Sequence, residues 1–437
     1  MGTLMRALDW SQTPLGPVQA WPQSLRTAIS ICLNSRFPML IWWGPELIML
    51  YNDAYRPILG LTKHPQALGL RGQASWPEIW PIIGPMLQGV LTNGEATWSN
   101  DQLLILDRNG YLEECYFTFS YSPIGDEQGQ VGGVFTAVTE TTAQVISARR
   151  LHTLHELATR LAAVQTAEAA CTAAVQSLAD NRADLPFALL YLLDEAQQKL
   201  CLVGATGLMV GGAASPLEVD LTVPLPVDDA WPFAQVIAAG QAIPVTDLPT
   251  RFGALPGGLW LAAPTTALLL PISCATQEQP IGFLIAGISP RRVLDQEYRN
   301  FLYLVVGQVA TAIASARAYE AERHRAEALA ELDRAKNAFF SNISHEFRTP
   351  LTLLLGPLDT LLQQPQPLPV NLRVQLEMVY GNGLRLLKLV NTLLDFSRLQ
   401  EDRLQAHYAP IDLAAYTSEL AGLFRAAIEH AGLQLQV

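Results

Sequence analysis

The chain has 437 residues, half of them apolar and 16% charged, with a formal net charge of −12. That length suffices for two to four domains, each able to bury a core. The acidic balance argues against nucleic acid, which selects clustered Lys and Arg, and against attachment to an anionic membrane surface.

The N-terminal stretch MGTLMRALDW has no apolar segment before Asp9, so no secretory signal is expected. Arg6 stands where a myristoylation pattern needs Ser or Thr. The uncharged stretch 252–277 is broken by Gly253, Pro256, Gly257, Gly258, Pro264 and Pro271, which exclude a single membrane helix. Residues 301–316 are too short to span and are diluted by Gly307, Gln308, Thr311 and Ser315. The expectation is a cytoplasmic protein with no membrane span and no nucleic-acid partner. Cys32, Cys115, Cys171, Cys201 and Cys274 lie far apart, with no zinc spacing, and read as buried thiols in a reducing compartment. No metal site is expected.

A lead-in over 1–36 carries an amphipathic helix at 17–35. FPMLIWW and ELIMLYN then read as strands around the turn Gly44-Pro45. EIWPIIGPMLQGVLTNG (78–94) reads as helical. TWSNDQLLILD, YLEECYFTFSYSPI and VGGVFTAVTE follow as strands, separated by turns at Arg108-Asn109-Gly110 and 126–129. Two strands, helices and three antiparallel strands make an α+β pattern. In this order the segment resembles a PAS sensory domain over about 37–140, assigned here to 37–142. The strand pair, the helix start Asn52-Asp53-Ala54-Tyr55, the DRNG turn and the closing VTETT carry the resemblance. Seven of the nine Trp precede residue 99, so an aromatic-rich interior is expected. The flavin-reactive cysteine motif of light-sensing relatives is absent, and no ligand is assigned.

Residues 143–166 read as a helical connector in which Leu151, Leu154, Ala158 and Leu161 form a coiled-coil stripe. His155-Glu156-Leu157-Ala158-Thr159 is read as ordinary exposed helix surface. Over 167–315 a helix (168–180) leads to FALLYLLDEAQQKLCLVGATG, then FAQVIAAGQAIPV, LLLPIS and PIGFLIAGI. These segments resemble a GAF domain. No Cys-His pair stands for attaching a bilin, and here too no ligand is assigned.

From Asp295 a helix is predicted to run to about 356. Residues 300–316 would pack on the preceding domain and 316–336 would form a signalling helix. Leu329, Leu332, Phe339, Ile343 and Leu353 fall on heptad positions, with Lys336, Glu346 and Pro350 in the gaps. His345 lies beside this stripe and would face outward. One ring nitrogen of a neutral histidine carries a free lone pair and can act as a nucleophile. Glu346 can accept a proton from the other nitrogen. Arg348 can pair with phosphate or a carboxylate. Thr349, one turn from His345, can orient a water. Pro350 lacks an N–H, weakening the helix and permitting a bend.

The eight residues SHEFRTPL are preceded by KNAFFSNI and followed, after LLQQPQPLP, by a second helix over 371–399. That helix carries Leu372, Leu376, Val379, Leu386, Val390 and Leu393 at helical spacing. Residues 337–405 thus closely resemble the dimerisation and phosphoacceptor region of two-component sensor histidine kinases. Two such hairpins would form a four-helix bundle. The resemblance implies His345 as phosphoacceptor, Glu346 as acid/base, Thr349 in dephosphorylation of a response regulator and Arg348 in support. It also implies ATP and Mg2+ as cofactors, held by a separate domain. Residues 406–437 resemble the opening helix and strand of that ATP-binding domain, so the chain is expected to be the front part of a longer kinase. The alternatives are a non-catalytic sensory dimer phosphorylated in trans and a receptor with a vestigial histidine box. The fold class expected is α+β sensory domains, PAS-like then GAF-like, joined by long helices to an all-α hairpin.

Overall fold

The structure, a computed structural model, describes the chain apart from residues 195, 224–230, 274–278, 364–368, 401–408 and 437. It divides into two units, Met1–Ala321 and Glu322–Val437.

In the first unit, α1 (Gly2–Ala7) and α2 (Gln23–Asn34) precede β1 (Met39–Trp43) and β2 (Ile48–Tyr51). The helix expected over 17–35 begins only at Gln23, because Pro22 and the residue before it hold extended backbone. Next come α3 (Arg56–Lys63), α4 (Gly72–Ser75) and α5 (Trp80–Asn93). Three long strands follow, β3 (Thr97–Asp107), β4 (Leu112–Gly125) and β5 (Val131–Glu140). The five strands form an antiparallel sheet in the order β2-β1-β5-β4-β3, with Ile41 opposite Phe135 and Leu104 opposite Cys115. Gly110 takes φ +86° in the β3–β4 turn, a backbone that Asn-Gly supplies without strain. Asn52 is fully buried and ties the incoming chain to the sheet. Its amide nitrogen donates to the carbonyls of Cys32, Ser35 and Phe37 at 3.1, 3.2 and 2.7 Å. Its oxygen accepts from the backbone N–H of Met39 and of Tyr55, each at 3.1 Å.

The connector α6 (Thr142–Leu161) and α7 (Ala167–Ala179) lead into a second sheet. Its strands are β6 (Ala188–Leu193), β7 (Lys199–Thr206), β8 (Glu218–Asp220), β9 (Ile243–Val245), β10 (Ala267–Ile272) and β11 (Gly282–Gly287). Two short helices, α8 (Phe233–Ala239) and α9 (Leu248–Phe252), lie between them in sequence. The order is β8-β7-β6-β11-β10-β9, antiparallel throughout. The unbroken apolar runs ALLYLL and GFLIAG follow from burial of both faces. Leu190 and Leu284 meet Leu157, Cys171 and Val305 on one side, while Leu189 and Phe283 meet Phe233 and Val236 on the other. The expected stripe on α6 divides: Leu161 is buried, whereas Leu151 and Ala158 are exposed. Ile146, Arg150, Thr153 and Leu157 form the buried face instead. His155 is exposed, as read from the sequence.

Helix α10 runs from Gln296 to Leu362 without a break at Pro350 or Pro357. By length and composition its segment Gln296–Lys336 is long and apolar enough to cross a membrane. Tyr298, Phe301, Leu302, Val305, Val309 and Ile313 of that segment are nevertheless core residues of the first unit, as expected for 300–316. Cys32, Cys115 and Cys171 are buried, Cys201 is half-buried and Cys274 lies outside the described residues.

In the second unit, α11 (Val370–Gln400) and α12 (Leu413–His430) follow. The predicted break at 361–369 falls largely outside the described residues, as does the side chain of Leu393. No strand forms over 433–436. The architecture is two α+β domains followed by a helical region.

Candidate functional site

His345, Glu346, Arg348 and Thr349 occupy consecutive turns of α10. Residues three and four apart share a helix face, so Arg348 and Thr349 both lie one turn beyond His345. The His345 side chain itself is outside the described residues. Glu346, Arg348, Thr349 and Pro350 are all exposed, so a macromolecular partner can reach them. Pro350 leaves the Glu346 carbonyl without its usual partner four residues on, yet the helix continues.

Three contacts seat α11 against this segment. Arg348 Nη2 donates to Asn391 Oδ1 at 3.1 Å. Leu355, buried like Leu351, meets Gly383, where a Cβ would fall 2.7 Å from Leu355 Cδ2. The Tyr380 hydroxyl hydrogen-bonds the Asp359 carboxylate, which raises the Tyr380 pKa. As the partner advances from 348 to 355 to 359 along α10, it recedes from 391 to 383 to 380 along α11. That is the register of an antiparallel helical hairpin. The hairpin leaves Leu329, Leu332, Phe339, Leu353, Val379 and Leu386 exposed.

Neither Asn391 nor Gly383 was foreseen from the sequence. A signal was available, since GNGLRLLKLVN (381–391) places Gly383 and Asn391 eight residues apart, on one face of α11. Among the described residues no group of three or more His, Cys, Asp or Glu converges as a metal site.

The first sheet encloses a cavity of about 40 Å³ lined by Trp42, Tyr55, Trp76, Phe117, Phe119 and Tyr121 among others. That is far below the several hundred Å³ of an ordinary ligand pocket. Burial pushes the Tyr55 and Tyr121 hydroxyls above their usual pKa, and at Tyr55 a hydrogen bond from Trp76 works the other way.

The two sheets are joined by a buried ionic network. Arg149 on α6 donates to Glu114 of β4 at 2.7 Å and to Asp184, ahead of β6, at 3.0 Å. Arg150 adds a contact of 3.4 Å to Asp184 and lies 4.3 Å above the Tyr298 ring of α10. Arg108 of the DRNG turn grips Glu140 of the VTETT segment through two hydrogen bonds of 2.7 and 2.8 Å. The two motifs quoted for the first domain are thus one contact in space.

Residues 335–402 match the family described as His Kinase A (phospho-acceptor) domain, and residues 163–314 match the GAF domain family. The circadian input-output histidine kinase CikA of Thermosynechococcus vestitus is 33% identical over 211 residues, covering 41% of this chain and 28% of that protein. Hybrid signal transduction histidine kinase D of Dictyostelium discoideum is 43% identical over 98 residues, 22% of this chain and 6% of that protein. Sensor histidine kinase TmoS of Ectopseudomonas mendocina is 37% identical over 98 residues, 22% of this chain and 10% of that protein. The matched stretches span less than a third of these relatives. Among solved structures, the GAF domain of a phosphoenolpyruvate-protein phosphotransferase from Coxiella burnetii covers 40% of this chain and 98% of its own, at 19% identity and TM-score 0.31. The chain therefore carries GAF and His Kinase A phosphoacceptor domains and has histidine kinase homologues, consistent with a two-component sensor histidine kinase.

Proposed function

We propose that this chain is the sensory and phosphoacceptor part of a cytoplasmic histidine kinase that autophosphorylates His345 and passes the phosphoryl group to a response regulator. A ring nitrogen of His345 attacks the γ-phosphorus of ATP; an N–P bond forms and ADP leaves. Glu346 takes the proton from the other ring nitrogen, so the phosphoramidate is not left cationic. A carboxylate oxygen of the regulator's Asp then attacks the phosphorus, and the N–P bond breaks. Thr349 orients the water that later hydrolyses the acyl phosphate. Arg348, held by Asn391 but exposed, can turn to the phosphoryl oxygens. Mg2+ and ATP come from the ATP-binding domain that the family resemblance implies, and no residue of this chain is assigned to them.

The observation that carries this reading is the motif SHEFRTPL on the first helix of a hairpin within the matched phosphoacceptor segment. The exposed apolar side chains of that hairpin favour a homodimer in which two hairpins bury them as four helices. We read the first domain as PAS-like on its element order, and the ligand of either sensory domain is left open.

Joined to a histidine-kinase ATP-binding domain and given γ-labelled ATP, the protein should acquire an acid-labile, base-stable phosphate. His345→Ala should lose the label, and its retention would sink the assignment.

A further inference from the structure

Around the close contact of Gly383 with Leu355 the seam of the hairpin is apolar. Leu351 and Leu355 of α10 are buried, and Leu387 and Val390 of α11, on the same face as Gly383, are half-buried. One turn before Leu351 the seam turns polar. There Arg348 Nη2 donates to Oδ1 of Asn391, which is itself half-buried. An apolar side chain at 391 would extend the seam without taking a polar group out of water, so stability alone does not call for an amide at this place.

The chemistry of the pair says what the amide does. A guanidinium has only donors, so Asn391 must present its oxygen to Arg348, and the arrangement has one sense. The acceptor is neutral. A carboxylate here would grip the guanidinium with two bonds and cancel its charge. An amide restrains the long side chain and leaves its positive charge whole. Arg348 lies one turn beyond His345 along α10, within reach of a group carried there. Of the charged side chains described within a turn of the pair, Glu346 on α10 and Lys388 on α11 are both exposed.

We infer, on the reading of His345 as the phosphoacceptor, that Asn391 is a positioning residue, which holds the charged guanidinium of Arg348 for the phosphoryl group on His345. A side chain already restrained loses less freedom when it binds phosphate, so the restraint favours the phosphorylated state and the transfer from it. The second helix of the hairpin thereby acts on the chemistry of the first.

The test loads the full chain with phosphate from potassium phosphoramidate and follows the phosphohistidine by phosphorus NMR. The titration runs from about pH 5.5 to about pH 9, which spans the second ionisation of a phosphoryl group. The resonance missing from His345→Ala reports on His345. A cation beside the phosphoryl group favours its more charged form, so Arg348→Gln should raise the apparent pKa by about one unit. Asn391→Ala should raise it by part of that, and Asn391→Asp by nearly all, because the carboxylate neutralises the guanidinium. Asn391→Gln keeps the amide oxygen and should stay close to the parent. In an Arg348→Gln background, Asn391→Ala should add nothing. A purely structural role for Asn391 would leave the titration where it was. A pKa that moves in Arg348→Gln but not in Asn391→Ala or Asn391→Asp overturns this inference and leaves His345 as the phosphoacceptor. A pKa unmoved in all three variants overturns it too. If His345 takes phosphate neither from phosphoramidate nor from ATP in the fusion with an ATP-binding domain, the reading beneath the inference falls, and the inference with it.

Discussion

Arg149 and Asp184 are joined by two hydrogen bonds of 3.0 Å, Nε to Oδ2 and Nη2 to Oδ1, and Asp184 is fully buried. The same guanidinium reaches Glu114 of β4, so one side chain of the connector ties a strand of the first sheet to the segment that leads into β6 of the second. Removing one member of a buried pair strands the other charge, at a cost of about 3 kcal/mol or more. Arg149→Ala should therefore lower the urea midpoint of the first unit by a large margin. Arg149→Met with Asp184→Asn should recover part of the loss, because one of the two carboxylates that Arg149 neutralises, Asp184 but not Glu114, is then uncharged. Equal stability of the single and double variants would contradict this.

Acid should attack the same junction. Burial pushes the Asp184 pKa up, but the hydrogen bonds and charge of Arg149, with Arg150 and Asn181, outweigh it and leave the pKa below its ordinary value. Glu140 behaves alike: burial raises it, and Arg108 more than offsets that. A carboxylate depressed in the folded state stabilises above its unfolded pKa, about 4. That contribution is lost as pH falls through the folded value. Unfolding free energy measured from pH 6 downward should drop below about pH 4, and Asp184→Asn should flatten that slope. An unchanged slope would remove Asp184 from the account.

Asn52 makes five hydrogen bonds from a fully buried position, all to backbone groups. Asn52→Ala takes this partner from the Ser35 and Phe37 carbonyls and the Met39 N–H, while the Cys32 carbonyl keeps the Ser35 N–H and the Tyr55 N–H keeps the backbone carbonyl of residue 52. The expected loss is about 3 kcal/mol, read from thermal or urea unfolding. A loss under about 1 kcal/mol would mean that water replaces the amide.

Gly383 faces Leu355 across the helical hairpin so closely that any Cβ must displace it. Gly383→Val should destabilise the hairpin by about 1–3 kcal/mol through overpacking. Adding Leu355→Ala should restore part of it by opening the space. Independent, additive effects would show that the two positions do not meet.

Thr349→Ala should leave labelling of His345 intact and slow dephosphorylation of the regulator by about a hundredfold, the scale of a lost proton-transfer or water-positioning group. An unchanged dephosphorylation rate would separate Thr349 from that step.

What could be read from the sequence was encoded among near neighbours. Asn109-Gly110 marked the β3–β4 turn, and the apolar runs ALLYLL and GFLIAG marked strands buried on both faces. SHEFRTPL marked the helix and its chemistry within eight residues. Each depends on backbone preference or on a period of two or 3.6, which a chain carries before it folds. The short β8 and α9 were missed, because three to five residues hold too little pattern to register. The face of α6 was misjudged for another reason: its helix offers two apolar stripes, and only packing on α7 and α10 chose Leu157 over Leu151 for the core. Nothing local distinguishes Arg149 from any other exposed helix arginine. Its partners stand 35 residues away on either side in sequence, so only the tertiary fold, by excluding water around Glu114 and Asp184, turned it into the pin between the two sheets.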